Sequence, residues 1–430
     1  MRAILISVET PEYKEHIGSC KACGNSPINH TAAYSMATVA IWHGYLGRFL
    51  ISIPFLSRLE AALRHLLAHV DRFNYSLGIL LGFIRINNDP SRAASYRSQV
   101  IWEEAARRGI RMEQLRFLGT YTEVYRALLD EEWIYFESLP IPPHSKQEGY
   151  AWLDDKVLLN RALREHGIPM PPAFSVSDEA DAVRAFEECG GRVVTKPRAG
   201  SRARHTTTFI DTLDELRLGF RSAQTLCRYV YVGTHLEGGV CRGTLVGGKL
   251  AGFFQGNPPR IEGDGISSIR ELIRRTNETK HERVQDIVLT DEHEAFLRRL
   301  GCTPDTVLDE GRRIDLTHRT GRLFGGETRE LLQSVHPKLR NYLERAAQIL
   351  DVPVVGFDLI IEDPEKDPDG QKWGIIEANS LPFIDLHYLP LHGTPSNVAA
   401  HVWDLWEKKD PAGAGFSYAT SLTSFSKIPG

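Results

Sequence analysis

Residues 354–387, VVGFDLIIEDPEKDPDGQKWGIIEANSLPFIDLH, set carboxylates inside otherwise apolar runs, and few folds tolerate that combination. The pattern predicts two strands, over 354–361 and 373–378, joined by a loop rich in Asp, Pro and Gly, which is the grammar of a hairpin. Asp358 interrupts the first strand; Glu377 and Asn379 end the second. A carboxylate inside an apolar strand is costly unless a cation or another partner compensates it. Oxygen donors of this kind suit Mg²⁺, which takes one or two carboxylates and keeps its other positions for water and substrate phosphates. Two readings stand at this point: a nucleotide-metal site, or salt bridges on an exposed sheet face.

With 430 residues the chain is long enough for two or three domains. A net charge of −4 argues against a dedicated nucleic-acid partner. The greasiest stretch, 75–84, is about half of the ~20 residues a membrane-spanning helix requires. Residues 1–7 lack the apolar core and cleavage site of a signal peptide and read as a first strand. These features lead to the expectation of a cytoplasmic protein with no membrane partner.

Six cysteines are scattered along the chain, and only Cys20 and Cys23 have motif spacing. CKACG looks like one knuckle of a zinc ribbon, with His16 and His30 as candidate further ligands. A structural zinc wants four ligands and a second CxxC is missing, so free or redox-active thiols are the expectation.

Along the chain, helices are expected over 57–67 and 98–109 and a strand over 133–137. The proline-rich run 139–144 marks a linker, with a boundary near Gly149. Beyond it, Asp155 and Lys156 open a helix that stops at Gly167-Ile168-Pro169. A helix over 178–188 precedes a strand over 192–197 that ends in Lys196-Pro197 and leads into a basic, hydroxyl-rich turn, RAGSRARHTTT. Such a turn can be a solvated loop, or a cradle of cations and backbone N–H groups for a polyphosphate. Strands over 227–232 and 240–254 follow, the second turning at Gly247-Gly248, then helices over 269–277, 291–300 and 337–350. Between the last two helices lies an arginine cluster that includes Arg319 and Arg322.

In this order, Asp155-Lys156, VVTKP, GDG before the helix at 269, VHP, GFD, and IEAN followed by His387, Pro390 and Gly393 resemble the ATP-grasp carboxylate-amine ligases. The likeness covers about 150–407 and points to the ATP-grasp domain of cyanophycin synthetases, with D-alanine-D-alanine ligase and glutathione synthetase also similar. It implies an α/β (α+β) chain: an N-terminal α/β domain over 1–149, an ATP-grasp domain of two α+β subdomains over 150–407, and a polar tail over 408–430.

The resemblance also implies roles. Lys156 and Lys196 would bind ATP phosphates, with Gly200, Ser201, Arg202, His205 and Thr206 in a mobile loop closing over them. Asp358, Glu377 and Asn379 would hold two Mg²⁺ ions, with Mn²⁺ as an alternative, and Arg242 with one of Arg319 or Arg322 would steady an acyl phosphate. The substrates would be small-molecule or peptide carboxylates and amines, and the assembly a homodimer. Three departures mark this chain. Arg202, Ala203, Arg204 and His205 replace small loop residues, Gly233 stands where the family carries a hinge acid and leaves purine contact to backbone groups or Glu237, and GRLFGGETRE replaces the usual arginine segment. The expected activity is ADP-forming amide ligation. The alternatives are an ATP-binding regulatory protein with a degenerate grasp, or a ligase that tailors peptides. Nothing after 410 resembles a Mur-ligase half, so polymer synthesis by that route is not expected.

Overall fold

The computed structural model describes residues 20–23, 28–51, 70, 73–142, 153, 155–200 and 204–407. The expected strand over 1–7, the helix over 57–67, the boundary near Gly149 and the tail over 408–430 lie outside the described residues, as do His16, Ser201 and Arg202. The chain forms two compact units, each discontinuous: Met1–Leu56 with Gly149–Leu236, and Ser57–Glu148 with Glu237–Gly430. Both are α+β, built on antiparallel sheets.

The first unit carries a four-stranded sheet in the order β5 (Ala173–Val176), β8 (Val230–Thr234), β6 (Val193–Pro197), β7 (Thr207–Ile210). Along β6 the side chains alternate, Val193, Thr195 and Pro197 buried and Val194 and Lys196 half-buried, the period-two pattern of a strand. Helices Glu179–Cys189 and Leu213–Gln224 cover one face through Ala182, Ala185, Leu216, Phe220 and Ala223. Asp178 caps the first of these helices, and a Thr212/Glu215 capping box opens the second. Gly219 lets the second helix sit close on the sheet, because a Cβ there would come within 2.5 Å of Thr195 Oγ1. Thr195 thus faces the helices, which turns Lys196 to the opposite face.

In the second unit, β1 (Ile84–Asn87), β2 (Met112–Phe117), β3 (Val124–Leu129) and β4 (Glu132–Glu137) form a sheet in sequence order. Helix Tyr96–Arg107 packs against helix Val398–Glu407, where the Trp403 indole donates to the Ile101 carbonyl at 3.0 Å. A second sheet runs β13 (Thr328–Glu330), β10 (Lys249–Gly256), β9 (Gly239–Val246), β14 (Val354–Ile361), β15 (Gly374–Asn379). β9 turns into β10 through Gly247 and Gly248, both with positive φ, as the sequence leads one to expect of a tight hairpin. Helix Pro337–Leu350 lies on one face, its Leu343 against Gly243. A smaller core joins β11 (Arg260–Glu262) and β12 (Arg313–Asp315) to helices Ile269–Thr279 and Asp291–Arg299.

Candidate active site

The face of the second unit's large sheet that turns away from helix Pro337–Leu350 carries the polar residues. Strand pairing sets Phe254, Arg242, Asp358 and Glu377 in one row across β10, β9, β14 and β15. The next row is Gly252, Thr244, Gly356 and Asn379. Arg242 and Asp358 face each other directly, and the guanidinium fork donates to both carboxylate oxygens, at 2.5 and 2.6 Å. Burial works against the Arg242 charge, yet Asp358, Glu377 and Asp385 together hold its proton more tightly than usual. The amide of Asn379 approaches Asp358 at 3.4 Å. Gly356 keeps the row open for Pro382, since a Cβ there would lie 2.8 Å from the proline's own.

A buried network holds the segment after β15 onto this face. His387 Nδ1 pairs with Glu330 Oε2 at 2.7 Å, and its Nε2 lies 2.8 Å from Thr244 Oγ1. The other Glu330 oxygen accepts from the Phe253 N–H and the Ser396 hydroxyl, so the buried carboxylate is well compensated. His387 occupies the space over Gly252, where a Cβ would meet its ring at 2.6 Å. Three residues from this face were missed in the sequence. Asp385 has a buried carboxylate oxygen without a hydrogen-bond partner, and burial raises its pKa. Arg97 donates to the Leu381 carbonyl and the Ser138 hydroxyl, at 2.9 and 2.7 Å. Glu330 gave no signal beyond being one acid in an arginine-rich run.

The two arginines at 319 and 322 separate clearly. Arg319 is tied to Glu292 at 3.0 Å and lies over Phe324. Arg322 is half-buried on a 3₁₀ turn; burial and Arg283 lower its pKa while Asp385 acts in the opposite direction, which brings it into the field of the carboxylate face.

In the first unit, Asp155 caps helix Lys156–Arg164 by accepting from Val157 and Leu158, and the same carboxylate takes the fork of buried Arg198, with a shortest distance of 2.6 Å. This clamp fixes the start of the basic turn, and the buried ammonium of Lys156 reaches the Gly200 carbonyl at 3.3 Å. Lys196 stands over the ring of buried Tyr231, 4.6 Å from its centre. Gly233 also faces that ring, and a Cβ there would lie 2.6 Å from it. An acid at the hinge position therefore cannot coexist with Tyr231 as it sits. Thr206 is half-buried beside β7, and Glu237 is exposed at the start of the second unit's C-terminal segment.

His205 behaves unlike a phosphate-loop residue. Its ring is buried, its Nδ1 lies 2.8 Å from the Ser222 carbonyl, and its Nε2 lies 3.4 and 3.5 Å from the sulfurs of Cys20 and Cys23. Both ring nitrogens are therefore occupied away from the loop's polar surface.

No protein-family model matches the chain. The chain is 30% identical over 260 residues to the cyanophycin synthetase of Geminocystis herdmanii, a match covering 58% of this chain and 30% of that protein. Against the cyanophycin synthetase of Trichormus variabilis it is 27% identical over 374 residues, 82% of this chain and 40% of the relative. A bifunctional glutathione biosynthesis protein of Listeria innocua is 23% identical over 319 residues, 71% of this chain and 40% of that one. The chain thus spans between 30% and 40% of the length of these relatives. Among solved structures, a bifunctional glutathione synthetase from Pasteurella multocida superposes with a TM-score of 0.50 at 19% identity, over 72% of this chain and 43% of that chain. The ordered motifs, the two antiparallel units and these likenesses agree: the chain is similar in sequence to cyanophycin synthetases and shares its fold with a glutathione synthetase, as the motifs of the ATP-grasp carboxylate-amine ligases lead one to expect.

Proposed function

We propose that the chain is an ATP-dependent, ADP-forming ligase that joins a carboxylate to an amine. The observation that carries this reading is the row Arg242, Asp358, Glu377, with Asn379 beside it, on one face of an antiparallel sheet. Two carboxylates and an amide oxygen are a hard donor set suited to Mg²⁺, and the guanidinium paired with Asp358 supports a positive charge at this position. Asp358, Glu377 and Asn379 would hold a pair of Mg²⁺ ions, replaceable by Mn²⁺, and bound cations would neutralise phosphate charge during transfer. Lys156 and Lys196 would grip the phosphates, while the Asp155–Arg198 clamp keeps the basic turn in register. Arg242, with Arg322 rather than the ion-paired Arg319, would steady the charge that develops on the activated carboxylate. Attack of a substrate carboxylate oxygen on the γ-phosphorus, with departure of ADP, creates an acyl phosphate; attack of the amine on its carbonyl then expels phosphate and leaves the amide. A cytoplasmic setting, with ATP at hand and thiols reduced, accords with this chemistry and with the free cysteines.

The test is ADP release against a panel of amino acids and dipeptides, in wild type and Glu377→Ala. Amine-dependent ADP formation that Glu377→Ala abolishes supports ligation. Tight ATP binding without turnover across the panel would replace it with the regulatory reading, to which the glycine at 233 and the altered loop also point.

A further inference from the structure

Four side chains from three separate stretches of the first unit converge: Cys20 and Cys23 on a 3₁₀ turn, His30 at the start of helix His30–Ile51, and His205 before β7. Their ligand atoms all lie within 4.8 Å of one another, and Cys23 and His205 are buried. Cys23 Sγ is 3.3 Å from His30 Nε2, and His205 Nε2 is 3.4 and 3.5 Å from the two sulfurs. A tetrahedral zinc with Zn–S of about 2.3 Å and Zn–N of about 2.0–2.1 Å has S···N edges of about 3.6 Å, so the four atoms already stand near the corners of a coordination sphere. The rings of His30 and His205 meet edge to face, 84° apart with centres 4.9 Å apart, so both nitrogens can point at one centre without ring overlap.

The surroundings match a metal site more closely than a thiol pair. The Ser222 carbonyl accepts the Nδ1 proton of His205, which fixes the tautomer whose Nε2 lone pair faces the sulfurs. The His205 N–H donates to the Ala22 carbonyl at 2.9 Å, binding the loop residue to the CxxC turn by main chain as well as by side chain.

We propose that Cys20, Cys23, His30 and His205 form a structural zinc site that fastens the distal end of the basic turn to the CxxC turn and to the start of helix His30–Ile51. Four protein ligands close the tetrahedron and leave no position for substrate, which makes the site structural rather than catalytic. Binding releases the two thiol protons to solvent and leaves both imidazoles neutral, with no redox change. The second CxxC that a zinc ribbon would require is replaced by two histidines, one of them 182 residues from Cys23. This inference does not depend on the ligase reading.

The full chain, purified without chelator, is expected to carry one zinc per chain by elemental analysis. Exchange with Co²⁺ should produce the intense visible bands of a tetrahedral site together with thiolate-to-metal charge transfer in the near ultraviolet. His205→Ala should lose the metal, whereas His205→Cys should retain it and shift the cobalt spectrum toward three sulfurs. Circular dichroism on each variant separates loss of a ligand from loss of fold. Zinc-free protein whose reduced form takes up no Co²⁺ would overturn the proposal, as would zinc retained in full by a folded Cys20→Ser/Cys23→Ser double variant.

Discussion

Arg242 and Asp358 stand opposite each other on neighbouring strands, and the arginine's fork holds both oxygens of the aspartate, at 2.5 and 2.6 Å. The pair explains how an apolar strand accommodates a carboxylate: the positive charge arrives from the adjacent strand, in register, before any ion binds.

Removing the guanidinium strands a largely buried Asp358 charge, so Arg242→Ala should destabilise the protein by about 3 kcal/mol. Mg²⁺ can restore the missing charge only if Asp358 and Glu377 hold it. Thermal melts with and without Mg²⁺ are therefore expected to show a larger ion-induced rise in Tm for Arg242→Ala than for wild type. Equal shifts would place the ion elsewhere.

Lys196→Ala and Lys156→Ala should each raise the KM for ATP by about tenfold or more, since a charge-assisted hydrogen bond contributes about 1.5–3 kcal/mol. Steady-state ADP release at varied ATP measures this. An unchanged ATP dependence for both variants would show that the phosphates bind away from β6.

Restoring an acid at the hinge as Gly233→Glu should cost about 1–3 kcal/mol, because the new Cβ meets the Tyr231 ring. The loss should shrink in the double variant Gly233→Glu/Tyr231→Val, where that ring is absent. Additive losses in the double-mutant cycle would mean that the collision is not the cause.

Asp264 accepts from the N–H groups of Ile266 and Ser267 and from the Ser267 hydroxyl, which hold its carboxyl at about 2, below the ordinary 3.8. A depressed carboxyl stabilises the folded state above the ordinary carboxylate range, and that contribution vanishes as the pH falls from about 4 to about 2. The stability gap between wild type and Asp264→Asn should therefore be full at pH 6 and close toward pH 2. Denaturant titrations across that range check it, and a gap that is constant with pH would contradict the assignment.

Local pattern revealed much of the fold. The apolar run 354–361 and the amphipathic run 337–350 coincide with β14 and with the helix that covers its sheet, and Gly247-Gly248 is the turn it resembles. Helix Leu213–Gln224 escaped notice although its Thr212/Glu215 capping box is a local signal. β3 escaped for a different reason: VYRALL carries no period-two alternation of apolar and polar residues and is defined by pairing with β2 and β4.

The GDG and HxxPxxG motifs were legible as signposts, but their physical content lies in the fold. Gly263 permits a close backbone approach to Asp309, Gly265 and Gly393 adopt positive φ, and His387 fills the space over Gly252. Sequence alone determined that Asp358, Glu377 and Asn379 share one hairpin, because two apolar runs of strand length joined by a loop rich in Asp, Pro and Gly read as one. Only tertiary structure decided which cation meets Asp358, which arginine is committed to Glu292, and that His205 joins two cysteines near the chain's start. Those choices depend on contacts across long stretches of chain, and nothing in the local spacing of residues records which distant side chain the fold will bring alongside.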